Sequence, residues 1–267
     1  MIDLNYINGF YPPQIASNAS FQKHLLKEYI QLMVLDFLAS SPYIQKLAFI
    51  GGTNLRLIKG IDRFSEDLDF DCKLLSEKEF IQMTDVIITF LRHAGLNVEV
   101  RDKANAKLTA YRRNIYFPEL LFELGLTGHK EERFLLKIES QDQGIEYPIE
   151  MKYVQRCGFF FSLPTPPDSV LLAMKLAALL SRAKGRDFYD TMFLMQQTAP
   201  SYPFLAQRVG ISTPEQLVEA LKEKLKHTDL TIKKRDFDHL LFDIHSAEKI
   251  LQFPQFVAYL HHHEEPT

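Results

Sequence analysis

The chain has 267 residues, of which 46% are hydrophobic and 24% charged, and its formal net charge is −3. This length and composition predict a globular protein of one large or two small domains. The small negative charge excludes a general polycation, so nucleic acid would have to bind at a local basic patch. The two cysteines, Cys72 and Cys157, are too few for a disulfide framework and belong to no zinc motif.

The sequence contains no pattern that favours membrane insertion or secretion. Its first residues lack the basic and apolar regions of a signal peptide. Its apolar runs are shorter than the roughly 18 residues that indicate a membrane span. We therefore expect a cytoplasmic protein with no membrane partner.

The first predicted elements are a helix over 20–40, capped by Ser20, and a short strand over 46–50. The strand runs into Gly51 and Gly52, and a short helix is expected from Thr53 to Gly60. Residues 67–72, DLDFDC, alternate with a period of two. This alternation predicts a strand with three aspartates on one face and Leu68, Phe70 and Cys72 on the other.

The following segment, 76–95, predicts an amphipathic helix that starts with a Ser76–Glu79 capping box and ends at Gly95. Four later stretches are rich in strand-forming residues: 97–103, 114–124, 133–140 and 159–163. After the proline-rich 164–167 the pattern is helical. The predicted fold class is α+β, with a mixed sheet flanked by helices and then a helical bundle. The predicted domains are 1–163 and 164–267.

Two of the aspartates, Asp67 and Asp69, lie about 7 Å apart along the predicted strand. Their like charges repel, so a buried pair requires protons or a cation. Mg²⁺ binds a few carboxylates together with water and phosphate oxygens, and such sites support phosphoryl or nucleotidyl transfer. Taken alone, the same pattern also fits the solvated face of an edge strand.

The Gly51-Gly52 turn before this strand suggests a phosphate site. Glycines allow backbone N–H groups to approach phosphate closely, and the following helix N-terminus favours anions. Thr53 adds a hydroxyl donor. The turn alone is equally consistent with an ordinary strand-to-helix connection. Together, the turn and the carboxylates predict a site for a nucleotide and its metal.

The motif GGTNLRL…RFSEDLDF (51–70) resembles the first motifs of the AbiEii/AbiGii toxin family, a branch of the DNA polymerase β-like nucleotidyltransferases. The resemblance spans roughly residues 45–197. It implies a nucleotidyltransferase fold, Asp67 and Asp69 as catalytic metal ligands, Mg²⁺ or alternatively Mn²⁺ as cofactor, and an NTP substrate. It also places Arg63 and Ser65, which belong to the RFSEDLDF motif, among the nucleotide-binding residues.

The superfamily usually has a third carboxylate on a neighbouring strand. In this sequence Glu139 is the candidate metal ligand, with Lys137 on the same face of a regular strand. Asp142 and Glu123 are alternatives, and Glu139 could equally be a surface strand residue.

A second match lies in AMKLAALLSRAKGRDFYD (173–190), which resembles a family motif of Lys-x-x-Ala followed by a basic segment ending in Asp. Lys175 could then contact a triphosphate or stabilise its leaving group. Asp187 and Asp190 share a helix face, and either could orient Lys175 or accept a proton from the acceptor hydroxyl. The resemblance adds further nucleotide ligands: Arg182, Lys184 and Arg186. Without the first motif, a charged helix junction would explain this stretch.

The resemblance also implies partners. Characterised family members are toxins of bacterial toxin–antitoxin or phage-abortive systems, and they resemble enzymes that add nucleotides to the acceptor end of tRNA. We therefore expect tRNA or another RNA as acceptor and an antitoxin as partner. A protein hydroxyl as acceptor, or a regulator that binds nucleotide without turnover, are the alternatives.

Two basic stretches are candidates for RNA contact, although each also fits a solvated face. The first combines cations with Tyr111, a mixture that holds phosphates and stacks bases. Its cations are Arg101, Lys103, Lys107, Arg112 and Arg113. The second lies in the C-terminal part and comprises Lys222, Lys224, Lys226, Lys233, Lys234 and Arg235.

Overall fold

The structure, a computed structural model, describes residues 2–102 and 110–263. The chain divides into two compact units. The first comprises Met1–Gly60, Phe64–Gly144 and Ile149–Thr165; the second comprises Ile61–Arg63, Ile145–Pro148 and Pro166–Thr267. Two short segments that precede the proline-rich stretch thus belong to the second unit. A single domain boundary at residues 163–164 does not include them.

The first unit combines six helices with two sheets in its described part. The helices are α1 (Leu4–Asn8), α2 (Pro13–Ala16), α3 (Gln22–Ala39), α4 (Gly51–Leu57), α5 (Glu77–His93) and α6 (Leu120–Glu123), with a 3₁₀ turn at Pro42–Lys46. The strands are β1 (Leu47–Ile50), β2 (Asp67–Cys72), β3 (Glu99–Val100), β4 (Tyr111–Tyr116), β5 (Leu135–Gln141), β6 (Glu150–Arg156) and β7 (Phe159–Thr165). This mixed architecture confirms the predicted α+β class.

The larger sheet has the strand order β1-β2-β5-β4-β3. The central pair β2 and β5 is parallel, whereas β1–β2, β5–β4 and β4–β3 are antiparallel. Strands β6 and β7 form a separate antiparallel hairpin. Because β2 lies between β1 and β5, its aspartates lie next to side chains of both strands.

The predicted alternation along β2 is present in the structure. Leu68, Phe70 and Cys72 are buried, together with Leu136 and Ile138 of the neighbouring β5. This apolar face forms the core of the sheet, because burying such side chains removes apolar area from water. Asp67 and Asp69 are therefore on the opposite face, where they retain partial exposure.

The helix ends show which capping predictions hold. Ser76 and Glu79 form the predicted capping box at the start of α5, and Gly95 follows the helix with a φ of +86°. The predicted cap at Ser20 is wrong. Helix α3 begins one residue later, with Phe21 at the N-cap and no side-chain cap, while the Ser20 hydroxyl bonds to Asn18.

Four segment predictions need correction. Residues 120–123, assigned to a strand-rich stretch, form helix α6 after Glu119, which has a left-handed φ of +57°. Strand β3 has only two residues, and β6 was not predicted. Helix α4 begins at Gly51 itself and ends at Leu57, before Gly60. Local patterns do not encode these boundaries, which depend on strand pairing and turn geometry.

The second unit is helical in its described residues, in agreement with the predicted C-terminal bundle. Its helices are α7 (Asp168–Arg182), α8 (Gly185–Met195), α9 (Tyr202–Val209), α10 (Pro214–Lys226), α11 (Leu230–Arg235) and α12 (Phe253–His263), with 3₁₀ segments at Asp238–Leu240 and Ile244–Gln252. Leu172, Leu176 and Phe188 are fully buried between these helices. Across residues 2–102 and 110–263, none of the helices has the length and apolar character needed to cross a membrane.

Candidate active site

The turn between β1 and α4 touches the second aspartate of β2. Gly51 has a φ of +81°, and a Cβ added to it would lie 2.7 Å from Asp69 Cβ and 2.8 Å from Asp69 Cγ. Ile50 is the direct register partner of Asp69, so strand pairing brings the turn beside this carboxylate. Only glycine satisfies both the backbone conformation and the close approach. The two motifs that the sequence separates by 15 residues are therefore adjacent.

Two polar residues of α4 hold this turn in place. The buried Thr53 hydroxyl donates to the carbonyl of Asp67, and Asn54 Nδ2 donates to the carbonyl of Phe49 at 2.7 Å. The Thr53 bond links α4 to β2, and the predicted contact of the Thr53 hydroxyl with phosphate stays a prediction. Gly51 and Gly52 remain partly accessible at the start of the helix.

A buried ion-pair group anchors α4 from its other side. Glu28 of α3 is 2% exposed and accepts from Arg56 Nε at 2.7 Å and from Arg156 Nε at 2.6 Å. The Tyr11 hydroxyl donates to the same carboxylate at 2.9 Å. Burial acts to raise the pKa of Glu28, but the two guanidinium groups outweigh it and lower that pKa. The sequence patterns did not single out this group, whose members come from distant segments.

The third predicted carboxylate lies beside the first two. Glu139 of β5 is the register partner of Asp69, and Lys137 is that of Asp67. The alternative Asp142 lies after β5 and pairs with Lys73 at 3.7 Å, whereas Glu123 belongs to α6. Of the three candidates, Glu139 is the one that strand pairing places next to Asp69.

Two cations contact these carboxylates. Lys137 Nζ lies 3.1 Å from Asp67 Oδ2 and 3.8 Å from Glu139 Oε1, and Arg112 Nε of β4 lies 2.7 Å from Glu139 Oε1. The same-face placement of Lys137 was predicted from the sequence. Its ion pair with Asp67 and the approach of Arg112 were not, because they depend on the strand order.

The residues present are compatible with a divalent metal in their donor chemistry. Asp67, Asp69 and Glu139 supply the hard oxygen ligands that Mg²⁺ prefers, and the missing Cβ of Gly51 leaves room for the Asp69 carboxylate. Within the part of the chain that the structure describes, however, no three acidic, histidine or cysteine side chains converge as a ready metal site. Lys137 and Arg112 hold two of the carboxylates. The three-carboxylate ligand set therefore stays a prediction.

The remaining predicted residues of the first unit have internal roles. Asp71 is 1% exposed, and its Oδ1 accepts the Gln143 N–H at 2.9 Å, so it lies outside the exposed pair. Ser65 is buried, and its carbonyl accepts from Gln31 Nε2 at 3.2 Å. Its predicted contact with nucleotide stays a prediction.

In the second unit, Asp190 joins two predicted cations. Its carboxylate accepts from Arg63 Nε and a terminal Arg63 nitrogen, both at 2.7 Å, and lies 2.8 Å from Lys175 Nζ. Arg63 and Asp190 have no exposed surface, and the Lys175 side chain is 11% exposed. Arg63 is therefore a structural partner of Asp190, and its predicted contact with the nucleotide stays a prediction.

The charge state of Asp190 follows from these contacts. Burial acts to raise the pKa of this carboxyl, but Arg63 and Lys175 outweigh burial and lower the pKa to about 2. Asp190 is thus a carboxylate at neutral pH that orients the Lys175 ammonium. Of the two predicted roles, orientation of Lys175 agrees with this contact, and the general-base role stays a prediction.

The junction between α7 and α8 accounts for the other predicted residues. Asp187 is fully buried and accepts from Arg182 at 2.9 and 2.8 Å and from the Lys184 N–H at 3.2 Å. It therefore closes the start of α8, and its predicted role as a base stays a prediction. Lys184 is exposed and Arg186 is half-buried at this helix start.

Comparison with known proteins now identifies the family. A family model described as the nucleotidyl transferase AbiEii toxin of a type IV toxin–antitoxin system matches residues 34–263. The chain belongs to the AbiEii family. It is therefore a nucleotidyltransferase toxin, and membership implies an NTP substrate and an antitoxin partner. Comparison with curated proteins gives no match.

Two solved structures share the AbiEii chain's fold. MenT4, a nucleotidyltransferase toxin from Mycobacterium tuberculosis H37Rv, is 17% identical, with a TM-score of 0.66 over 98% of this chain and 90% of its own. JHP933 from Helicobacter pylori is 20% identical, with a TM-score of 0.51 over 91% of this chain and 93% of its own. At these identities the similarity concerns the fold.

Proposed function

We propose that this AbiEii chain uses Mg²⁺ to transfer a nucleoside monophosphate from an NTP to an RNA acceptor, the 3′ end of tRNA. The observation that carries the proposal is the contact between the Gly51 turn and Asp69. It places backbone suited to phosphate beside a carboxylate suited to a metal. Family membership supplies the reaction class, whereas the metal and the acceptor are our inference.

In the first unit, Asp67, Asp69 and Glu139 would hold the metal. When bound, Mg²⁺ neutralises charge on the triphosphate and on the departing pyrophosphate. The N–H groups at Gly51 and Gly52 would hold phosphate oxygens, since both residues are partly accessible at the start of α4. The carboxylates would thus bind the metal, and the turn would bind the phosphate.

In the second unit, Lys175 is the proposed triphosphate ligand. Asp190, itself held by Arg63, keeps the Lys175 ammonium in one position. Less side-chain freedom therefore remains to be lost when Lys175 binds an anion. Arg182, Lys184 and Arg186 are further proposed phosphate ligands. Arg182 already pairs with Asp187 and keeps 46% of its side chain exposed.

The two basic stretches differ in their support for RNA binding. In the first, Arg112 pairs with Glu139, Arg113 with Asp85 and Asp102, and Arg101 with Glu99. Tyr111 packs against Phe80 at 5.6 Å between ring centroids. Lys103 and Lys107 lie outside the described residues.

The second stretch, on α10 and α11, has more exposure. Lys226 keeps 63% of its side chain exposed, although it pairs with Glu223. Arg235 is exposed, and Lys233 is half-buried, in the last turn of α11. We therefore favour this stretch for contact with RNA phosphates.

The acceptor can be identified by incubating the protein with α-labelled NTPs, bulk tRNA and a cell extract that supplies candidate protein acceptors. We expect label on tRNA, at its 3′ end, and loss of labelling after chelation of divalent metal. Label on a protein instead would support the alternative acceptor, a side-chain hydroxyl. Label on tRNA that survives chelation would contradict the proposed metal dependence.

A further inference from the structure

The carboxylate face of the sheet carries a row of alternating charges across three adjacent strands. Asp67 contacts Lys137, Lys137 approaches Glu139, and Glu139 contacts Arg112, with distances of 3.1, 3.8 and 2.7 Å. The four side chains are between 23 and 34% exposed. Partial burial weakens solvent screening, so these charges influence one another more than fully exposed ones would.

Lys137 occupies the central position of this row. Its ammonium lies within ion-pair distance of both Asp67 and Glu139, two of the three carboxylates proposed to bind metal. The strand register explains this placement, because Lys137 is paired with Asp67 and lies two residues before Glu139 on the same face. A divalent cation bound by these carboxylates would be repelled by an ammonium at the same oxygens.

We propose that Lys137 is an internal counter-cation that competes with the divalent metal. In the metal-free chain its ammonium neutralises Asp67 and Glu139, which otherwise repel each other and Asp69. Metal binding then requires Lys137 to leave these oxygens, so Lys137 lowers metal affinity and stabilises the metal-free protein. This inference rests on the proposed metal site.

An ordinary structural ion pair would behave differently. If Lys137 only stabilised the sheet, removing its charge would destabilise the protein with and without metal and would leave metal affinity unchanged or reduced. A competing cation instead produces opposite effects: weaker stability in chelator and tighter metal binding. Metal affinity and metal-free stability must therefore be measured on the same variants.

The test uses Mn²⁺, whose free ion is measured directly by electron paramagnetic resonance. Lys137→Met removes the charge and keeps most of the stem, Lys137→Gln is a second neutral variant in case the first fails to fold, and Lys137→Arg keeps the charge. Lys46→Met is the matched control, because it removes the same charge from the Lys46–Glu79 ion pair elsewhere in the first unit. Asp67→Asn tests the metal site itself.

We expect the neutral variants to bind Mn²⁺ about 5-fold or more tightly than wild type, as removal of a nearby like charge predicts. Lys137→Arg and Lys46→Met should remain within about twofold of wild type. In chelator the neutral variants should unfold at a lower temperature than wild type, and excess Mn²⁺ should reverse the difference.

The outcomes separate the two claims. Wild-type protein that binds no Mn²⁺, or binding that Asp67→Asn leaves intact, would overturn the proposed metal site and the role of Lys137 with it. Wild-type binding that Asp67→Asn weakens, combined with equal or weaker binding by both neutral variants, would overturn the role of Lys137 alone.

Discussion

Gly51 and Asp69 are in such close contact that no side chain fits between them. A Cβ on Gly51 would lie 2.7 Å from Asp69 Cβ, and the carboxylate would clash as well. The turn proposed for phosphate and the carboxylate proposed for metal are thus packed against one another. Any change that moves one must move the other.

Substitution of Gly51 should therefore damage activity more than stability alone explains. Gly51→Ala imposes a left-handed φ of +81° on alanine and displaces Asp69. Holding alanine in this left-handed backbone conformation costs about 1–2 kcal/mol of unfolding free energy. We expect nucleotidyl transfer to fall by about 100-fold or more, since small displacements of catalytic groups have effects of this size.

Gly60→Ala is the matched control for this prediction. Gly60 also has a positive φ, of +74°, but nothing lies within 4 Å of an added Cβ. Gly60→Ala should therefore show only the backbone cost in chemical denaturation and should keep transfer activity close to that of wild type. Equal activities for Gly51→Ala and Gly60→Ala would show that the contact with Asp69 is unimportant for transfer.

The Asp190 ion pairs should make stability depend on pH. The pKa of Asp190 is lowered from 3.8 to about 2 in the folded protein. Because the folded pKa lies below the unfolded one, the stabilisation is complete above about pH 4 and is lost as the pH falls towards 2, for a total of about 2 kcal/mol.

Asp190→Asn tests these ion pairs directly. Near neutral pH the variant should lose about 3–5 kcal/mol of unfolding free energy, because Arg63 and Lys175 remain buried without the carboxylate charge. The difference from wild type should narrow as the pH is lowered from about 4 to 2. If the difference in unfolding free energy stays constant over this range, Arg63 and Lys175 do not lower the pKa of Asp190.

Two serines provide a comparison of helix caps. Ser76→Ala removes the capping box of α5 and should cost about 1 kcal/mol of unfolding free energy. Ser20→Ala precedes α3, where Ser20 makes no cap, and should change stability by less than about 0.5 kcal/mol. Urea unfolding of both variants checks the pair, and an equally large loss at Ser20 would mean that α3 begins earlier than the structure indicates.

The aspartates of β2 should differ in their importance for transfer. Asp71 is buried and accepts the Gln143 N–H, a role that an asparagine oxygen can retain. Asp71→Asn should therefore keep most of the activity, within about 10-fold of wild type, while Asp67→Asn and Asp69→Asn each lose about 100-fold or more. A loss at Asp71 equal to the other two would show that the proposed site omits a necessary carboxylate.

The elements that were predictable from sequence have strong local patterns. The alternation of DLDFDC defined β2 to the residue, and the Ser76–Glu79 spacing identified the start of α5. The Gly-Gly turn and the aspartates were also predicted to belong to one site, and the structure brings Gly51 into contact with Asp69. Family membership then confirmed the resemblance that the same motifs had indicated.

The contacts that were not predictable arise from the tertiary arrangement. Arg63 and Thr53 are predicted ligands from their place in the motifs, and their contacts with Asp190 and with the Asp67 carbonyl could not be read from those motifs. Whether a polar side chain faces a substrate or a buried partner depends on packing between distant segments. The contact of Arg112 with Glu139 likewise follows from the strand order, which local sequence does not encode.

The most direct test of the account compares NTP labelled at the α-phosphate with NTP labelled at the γ-phosphate, in the presence of tRNA and Mg²⁺. Only α-label should be incorporated, and the Asp67→Asn/Asp69→Asn double variant should incorporate none while remaining folded by circular dichroism. Incorporation of γ-label, or α-labelling that survives the double substitution, would contradict nucleotidyl transfer at these two carboxylates.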